Sequence, residues 1–397
     1  MRRTLIITAI IIVILGIGAA AYFYIFARTP SVVVAPGTSS NFPSAGQGII
    51  PTGTGQVSTP SSPTAVTAKL VKISSGPVVP GEALIDTKTA GATSSPDVSV
   101  NYIERESGNV FSYQVGSAVL TRTSNKTIPG IERASWLPDA SAAFVRYLSG
   151  TDFSTVNTYA LSSTGGSGFF LPQDLSGIAV SSTSILTLAS GVNGSSASLM
   201  RPDGTHASTI FTTPLSALRI SFAGKDQYLA FTKPSATLQG DAFLVNSAGH
   251  FSRIAGPLNG LVALASPSGK WLLVSSSLNN RMQMELVNTA TGETLQLPVA
   301  TIADKCVWAA DDSAVYCGIP LNPSTNYIYP DDWYQGAVHF SDRIWKINVS
   351  GRYAQLVLDF SKETGGTLDA EALALDPSGT VLSFINKNDG SLWVYTL

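Results

Sequence analysis

Leu261-Val-Ala-Leu-Ala-Ser-Pro-Ser-Gly-Lys270-Trp-Leu-Leu-Val274 reads as an apolar strand, a tight Pro-Ser-Gly turn and a returning apolar strand. The pattern recurs: Pro138-Asp139 precedes Ala142-Ala-Phe-Val145, Ala223-Gly224 precedes Tyr228-Leu-Ala-Phe231, and Pro377-Ser-Gly379 precedes Val381-Leu-Ser-Phe384. With the first strand of each copy ending at Trp136, Val180, Phe222, Ala265, Trp308 and Leu375, the spacings are 44, 42, 43, 43 and 67. A period of this length is what four-stranded propeller blades need. A second turn recurs between third and fourth strands, where Gly116, Gly165, Gly204, Gly249, Gly292 and Gly351 could each take a positive φ. Helical periodicity is absent from the region.

The Pro-Ser-Gly hairpin followed by an apolar strand resembles the repeat of TolB-like, or WD-repeat-like, bacterial β-propellers over about residues 67–397. The resemblance implies a fold and no activity. The Gly-His and Trp-Asp pairs of eukaryotic WD repeats are missing, and so is a sialidase-type Ser-x-Asp-x-Gly-x-Thr-Trp box. Val287-Asn-Thr-Ala-Thr-Gly-Glu293 is similar to a quinoprotein turn, but one such hairpin is no cofactor signal, and no cofactor is expected.

The last copy has strands at Ala372-Leu-Ala-Leu375, Val381-Leu-Ser-Phe384 and Ser391-Leu-Trp-Val-Tyr395, and no fourth strand follows. An open edge needs a cover. Leu70-Val-Lys-Ile-Ser-Ser-Gly-Pro77 matches Phe251-Ser-Arg-Ile-Ala-Gly-Pro257, the fourth strand of another copy. Residues 68–75 are therefore predicted to complete the C-terminal blade. Full blades starting near residues 79, 131, 174, 215, 258 and 300, plus this composite, predict an all-β, seven-bladed propeller of four-stranded antiparallel blades.

Residues 4–27 carry no charge until Arg28, and 24 residues at helical rise span about 36 Å, enough for a bilayer core. Arg2 and Arg3 flank one end, while Tyr22, Phe23 and Tyr24 lie where an interfacial belt would, so residues 1–28 are predicted to be a single-pass anchor with a cytoplasmic N-terminus. The rival is a cleaved signal peptide ending at Ala19-Ala20-Ala21, but the apolar run continues to Phe26. Residues 29–66 hold no charge and are rich in Pro, Gly, Ser and Thr, which predicts a disordered linker of about 35 Å end to end. The propeller, residues 67–397, is then expected outside the cytoplasm at the cell membrane.

Twenty-four Lys and Arg against 26 Asp and Glu leave no basic field for a phosphate backbone, so no nucleic-acid partner is expected. Cys306 and Cys317 are the only cysteines, too far apart for CxxC or zinc chemistry. With a turn centred on Asp311-Asp312 they fall opposite one another, at a spacing a disulfide can bridge. A disulfide or two buried thiols would both fit. The three histidines, His206, His250 and His339, are not grouped as ligands; the first two sit in turns. No Gly-x-Ser-x-Gly elbow occurs, and no catalytic residue is assigned.

The step of 67 exceeds the period because residues 320–340 are inserted in the sixth blade. This insertion carries Tyr327, Tyr329, Asp331, Asp332, Trp333 and Tyr334, residue types that anchor interfaces. They are the candidate binding surface. The alternative is that Trp333 and Tyr334 plug the ring while Asp331 and Asp332 cap a helical turn ending at Gly336. A calcium site at the two aspartates would need further oxygen ligands that the sequence does not supply, and no metal is assigned.

The expected function is a protein- or ligand-binding, scaffolding module at the cell envelope, its partner another envelope protein or a surface ligand. A hydrolase or lyase with its site at the central channel, and a purely structural envelope component, are the alternatives. Ile178-Ala-Val180, Leu218-Arg-Ile-Ser-Phe222 and Leu261-Val-Ala-Leu264 make the channel-lining strands look poor in the acids and bases an enzyme would need. The sequence leaves the oligomeric state open.

Overall fold

The computed structural model describes residues 62–87, 97–126, 128 and 130–397. The expected anchor and all but the last residues of the expected linker lie outside the described residues. Among the described residues no helix is long and apolar enough to cross a membrane.

Seven antiparallel sheets make up the described residues; six pair four consecutive strands in sequence order, and the seventh joins the first two strands to the last three. Their first strands are Ala83–Thr87, Ile131–Trp136, Leu175–Val180, Leu218–Phe222, Val262–Ala265, Cys306–Trp308 and Ala370–Leu375. The last six end on the six residues that set the repeat spacing. The chain is a seven-bladed β-propeller. Its second strands are apolar on both faces because neighbouring blades cover both; every residue of Val381–Asn386 is buried. Apolar clusters sit between successive blades: Val79, Ile103, Val145 and Leu161 join the first two, and Leu70, Ile344, Phe360 and Phe384 join the last two. Burying each such side chain is worth about 1.5–3 kcal/mol.

Ring closure follows the expected route. Leu70–Lys72 pairs with Ser391–Thr396 in the register Leu70↔Tyr395, Val71↔Val394 and Lys72↔Trp393. Leu70 and Ile73 are fully buried. The sheet also takes in Thr64–Ala65, which pairs outside Leu70–Lys72. Propeller structure thus begins a little before residue 67, because a short extra strand covers the outer edge of the closing one.

Two of the recurring turn glycines differ from expectation. Gly165, Gly204, Gly249 and Gly292 have positive φ, but in the turns of Gly116 and Gly351 the left-handed residues are Ala118 (φ 57°) and Arg352 (φ 56°). Those two glycines are there for space. A Cβ on Gly116 would lie 2.8 Å from Asp97 Oδ1, which accepts the Gly116 N–H at 2.7 Å. One on Gly351 would lie 2.6 Å from the Tyr353 ring.

Connections from blade to blade share one face with the turns between second and third strands; the remaining turns form the opposite face. The insertion joins Ala314–Pro320 to Asp342–Asn348 and so rises on the connection face. Cys306 and Cys317 are register partners on the first and second strands of that blade, and their sulfurs are bonded at 2.10 Å.

Candidate functional site at the mouth of the channel

The insertion lies over the ring and does not form an open aromatic surface. Its one helical turn, Asp331–Tyr334, stops at Gly336 (φ 74°), as expected. Its start differs: Pro330 holds the N-cap position without a side-chain bond. Asp331 instead accepts the Ala236 N–H at 3.0 Å, pinning the insertion to the fourth blade, and Asp332 accepts the Ile328 N–H at 2.7 Å. Tyr329 and Trp333 are buried, Tyr327 is partly buried, and Tyr334 is the exposed member of the aromatic set.

Trp333 closes over a buried ion cluster. The short 3₁₀ turn Ala303–Lys305 ahead of the sixth blade's first strand places Lys305 inward, with no solvent exposure. Its Nζ lies 2.8 Å from Asp342 Oδ2 and is also bonded to Asp369. Asp369 further accepts Trp333 Nε1–H at 3.1 Å and the Phe340 N–H at 3.0 Å. Asp342 accepts the Ala370 N–H at 2.7 Å, while its other oxygen has no partner among the described residues. Two carboxylates share one ammonium here, and burial, opposed by Lys305 and reinforced by Asp369, holds the Asp342 carboxyl above its ordinary range. The Lys305 and Lys387 ammonium groups both sit over the Trp333 ring, at 4.9 and 3.9 Å from its centroid.

Asp304, next to Lys305, faces the other way, into the channel. It pairs bidentately with Arg219, at 2.7 and 2.8 Å, and accepts the Tyr334 hydroxyl at 2.7 Å. Desolvation raises the Asp304 pKa, but the Arg219 guanidinium and the Tyr334 hydroxyl outweigh it and hold the carboxyl below its usual range. Burial and the Asp304 charge together push the Tyr334 phenol up.

These groups border a cavity of about 430 Å³ lined by Gly81, Arg133, Arg219, Asp304, Tyr334, Glu371 and Lys387, among others. Residues so far apart in sequence come from five blades and can meet only near the ring axis, at the connection-face end. Lys387 lies 3.6 Å from Glu371. Arg133 is exposed and has no carboxylate within ion-pair distance among the described residues. Beside the cavity Glu82 is buried, accepting the Ser383 hydroxyl at 2.7 Å on one oxygen; its other oxygen has no partner among the described residues. Burial, with Glu371 adding to it, pushes the Glu82 carboxyl up to about 7. The larger cavity at the opposite end, about 690 Å³, is lined by Phe222, Leu264, Ala265, Val307 and Leu373, with Lys225 and Asp226 also on its wall.

The channel mouth is therefore charged, contrary to the expectation from the first strands. The charges lie at the beginnings of those strands or just ahead of them, whereas their middles are apolar. Arg133, Arg219 and Lys305 each stand three residues before a repeat anchor, a shared offset that could have flagged them. His206, His250 and His339 are exposed, and among the described residues no three His, Cys, Asp or Glu side chains converge as a metal would need.

No family model and no curated sequence matches the chain. Solved structures do. An oligogalacturonate lyase in complex with manganese is similar at TM-score 0.53 and 11% identity, over 76% of this chain and 86% of that one. The oligogalacturonate lyase of Vibrio parahaemolyticus is similar at 0.56 and 9%, over 82% and 93%. The β-propeller domain of the Trilobed protease from Pyrococcus furiosus is similar at 0.50 and 8%, over 79% and 93%. The likeness is one of fold. At such identities it carries the β-propeller architecture and neither an activity nor a ligand.

Proposed function

We propose that this chain is a binding module of the cell envelope, anchored through residues 4–27 with the propeller outside the cytoplasm, and that it takes an anionic group of its ligand or partner at the channel mouth. The observation that carries this is Arg133, an exposed guanidinium without an ion-pair partner among the described residues, on the wall of an open cavity. Arg133, Arg219 and Lys387 face Asp304 and Glu371 there, which leaves one cation in excess. A guanidinium in that position suits a carboxylate or a phosphate, each able to accept two parallel N–H bonds. Trp333 and Tyr334 both line this cavity, and Tyr334 is the exposed one of the two.

A second reading, an enzyme at the same mouth, is favoured by Glu82. A carboxyl raised to about 7 beside the Glu371 carboxylate is the pattern of an acid–base pair. The lyases of like fold are named for an acidic sugar, which an Arg-lined mouth would also suit. The described residues do not supply a ligand set for manganese, so no step through a metal is derived.

The test is a thermal-shift screen of the purified full chain against uronate oligomers, sugar phosphates and neutral oligosaccharides. A carboxylate or phosphate should raise the melting temperature in a salt-dependent way, and Arg133→Ala should abolish the rise. Equal stabilisation of both proteins would contradict the assignment. Formation of a product absorbing as an unsaturated uronate would favour the second reading.

A further inference from the structure

The turns between second and third strands end in exposed apolar side chains on five successive blades. Phe153 is 67% exposed, Val192 100%, Leu238 70%, Leu278 62% and Leu321 47%, from the second blade to the sixth. Their surroundings are short and sparsely charged: Gly150-Thr-Asp-Phe-Ser154, Gly191-Val-Asn193, Lys233-Pro-Ser-Ala-Thr-Leu238 and Leu278-Asn-Asn-Arg281. All lie on the connection face. The corresponding turns of the first and seventh blades carry Arg105, Glu106, Lys387 and Asp389 and no large apolar tip. Isolated apolar residues are ordinary on a surface. An arc of them at one structural position in five consecutive blades is not a random scatter.

The chain's entry point gives the arc a direction. Leu70–Lys72 is an outer strand and runs toward the connection face, as every fourth strand does before it crosses to the next blade. Thr64–Ala65 is antiparallel to it, so the polypeptide arriving from residue 63 comes in at the connection face. That is the face that bears the apolar tips.

We infer that this face docks on the bilayer, with the tips of the second to sixth blades dipping into the interfacial region of the membrane that holds the chain's own anchor. The inference rests on the anchored reading of residues 4–27. On that reading, a flexible tether of about 40 residues would keep the propeller within a few tens of Å of the lipid, at an effective concentration on the order of millimolar. Under those conditions weak interfacial contacts suffice. A fluid surface also suits the geometry: each tip can insert separately, whereas a folded protein would need a matching ring of pockets. The charged mouth then opens toward the headgroups, and the anionic group it takes is presented from the membrane side.

The test uses the full chain in vesicles of phosphatidylcholine and phosphatidylglycerol, about three to one. A polarity-sensitive dye is placed at Val192→Cys or Leu238→Cys, and, for comparison, at Val119→Cys, which is exposed at the start of a fourth strand on the opposite face. Nitroxide lipids report proximity to the bilayer. The tip labels should be quenched about threefold more strongly than the Val119 label. Phe153→Ser with Leu278→Ser should reduce quenching at Val192 without shifting the melting temperature. If the chain floats with the vesicles and all three labels are equally unquenched, the docking is wrong and the anchor stands. If the chain does not float at all, both fail.

Discussion

Replacing Lys305 by Met tests the ion cluster under the insertion. Met keeps the length of the side chain and removes the ammonium, leaving Asp342 and Asp369 facing each other without solvent. Asp369 would keep its bonds from Trp333 and Phe340; Asp342 would keep the Ala370 N–H alone. Breaking a buried pair in this way costs about 3–5 kcal/mol. For a domain of roughly 330 residues, with an unfolding entropy of about 0.7 kcal/mol per degree, the melting temperature should drop by about 4–7 °C. Adding Asp342→Asn removes the less supported carboxylate and should recover part of the loss; Asp369→Asn, which disturbs the bonds from Trp333 and Phe340, should not. The loss should also be smaller at pH 5 than at pH 7, because Asp342 is already raised and takes up a proton more easily once the ammonium is gone. Thermal and urea unfolding of the four proteins at both pH values decides the matter. A Lys305→Met protein within about 1 kcal/mol of the parent at pH 7 would mean that Lys305 does not hold the two buried carboxylates in place.

Glu82→Gln should flatten one component of the pH dependence. The folded carboxyl stays protonated up to about 7 while the unfolded one ionises near 4.5, so the parent loses stability as pH rises between those values. The variant should match the parent near pH 4 and exceed it by up to about 3 kcal/mol at pH 8 in urea titrations; no difference between the two slopes would contradict this. Deleting residues 68–75 removes Leu70 and Ile73 from the core and exposes Ser391–Thr396, at a cost of at least about 3–6 kcal/mol. Deleting residues 29–62 should cost nothing, and a chain starting at Gly81 that melts as cooperatively and at the same temperature as one starting at Pro63 would overturn the closure. Cys306 and Cys317 should resist alkylation until reduced, as mass spectrometry can show, and their joint replacement by Ser should cost about 3 kcal/mol for a loop of this length.

Much of the fold was legible because a propeller repeats one local solution. Trp136, Val180, Phe222, Ala265, Trp308 and Leu375 end their strands where the spacing put them, and the match of Leu70–Pro77 to Phe251–Pro257 identified the closing strand. The Cys306–Cys317 register followed from turn symmetry alone. The site was harder to read. Aromatic composition drew attention to Tyr327, Tyr329 and Trp333, but such residues serve a lid as well as an interface, and burial of Tyr329 and Trp333 separates the two uses only in three dimensions. Arg133, Arg219, Asp304, Glu371 and Lys387 are unremarkable as single charges in single strands. They become a site because the ring brings the beginnings of distant first strands to one axis, of which the sequence records only the shared offset of Arg133 and Arg219 from Trp136 and Phe222.

The most direct measurement of whether the charged mouth is the working site is photo-crosslinking in native membranes with p-azidophenylalanine at Tyr334, compared with the same group at Thr183 on the wall of the opposite cavity. Capture of a discrete species is expected from position 334, lost on Arg133→Ala and weakened by salt, with none from position 183. Capture from position 183 alone, or capture at 334 that is indifferent to Arg133, would contradict it.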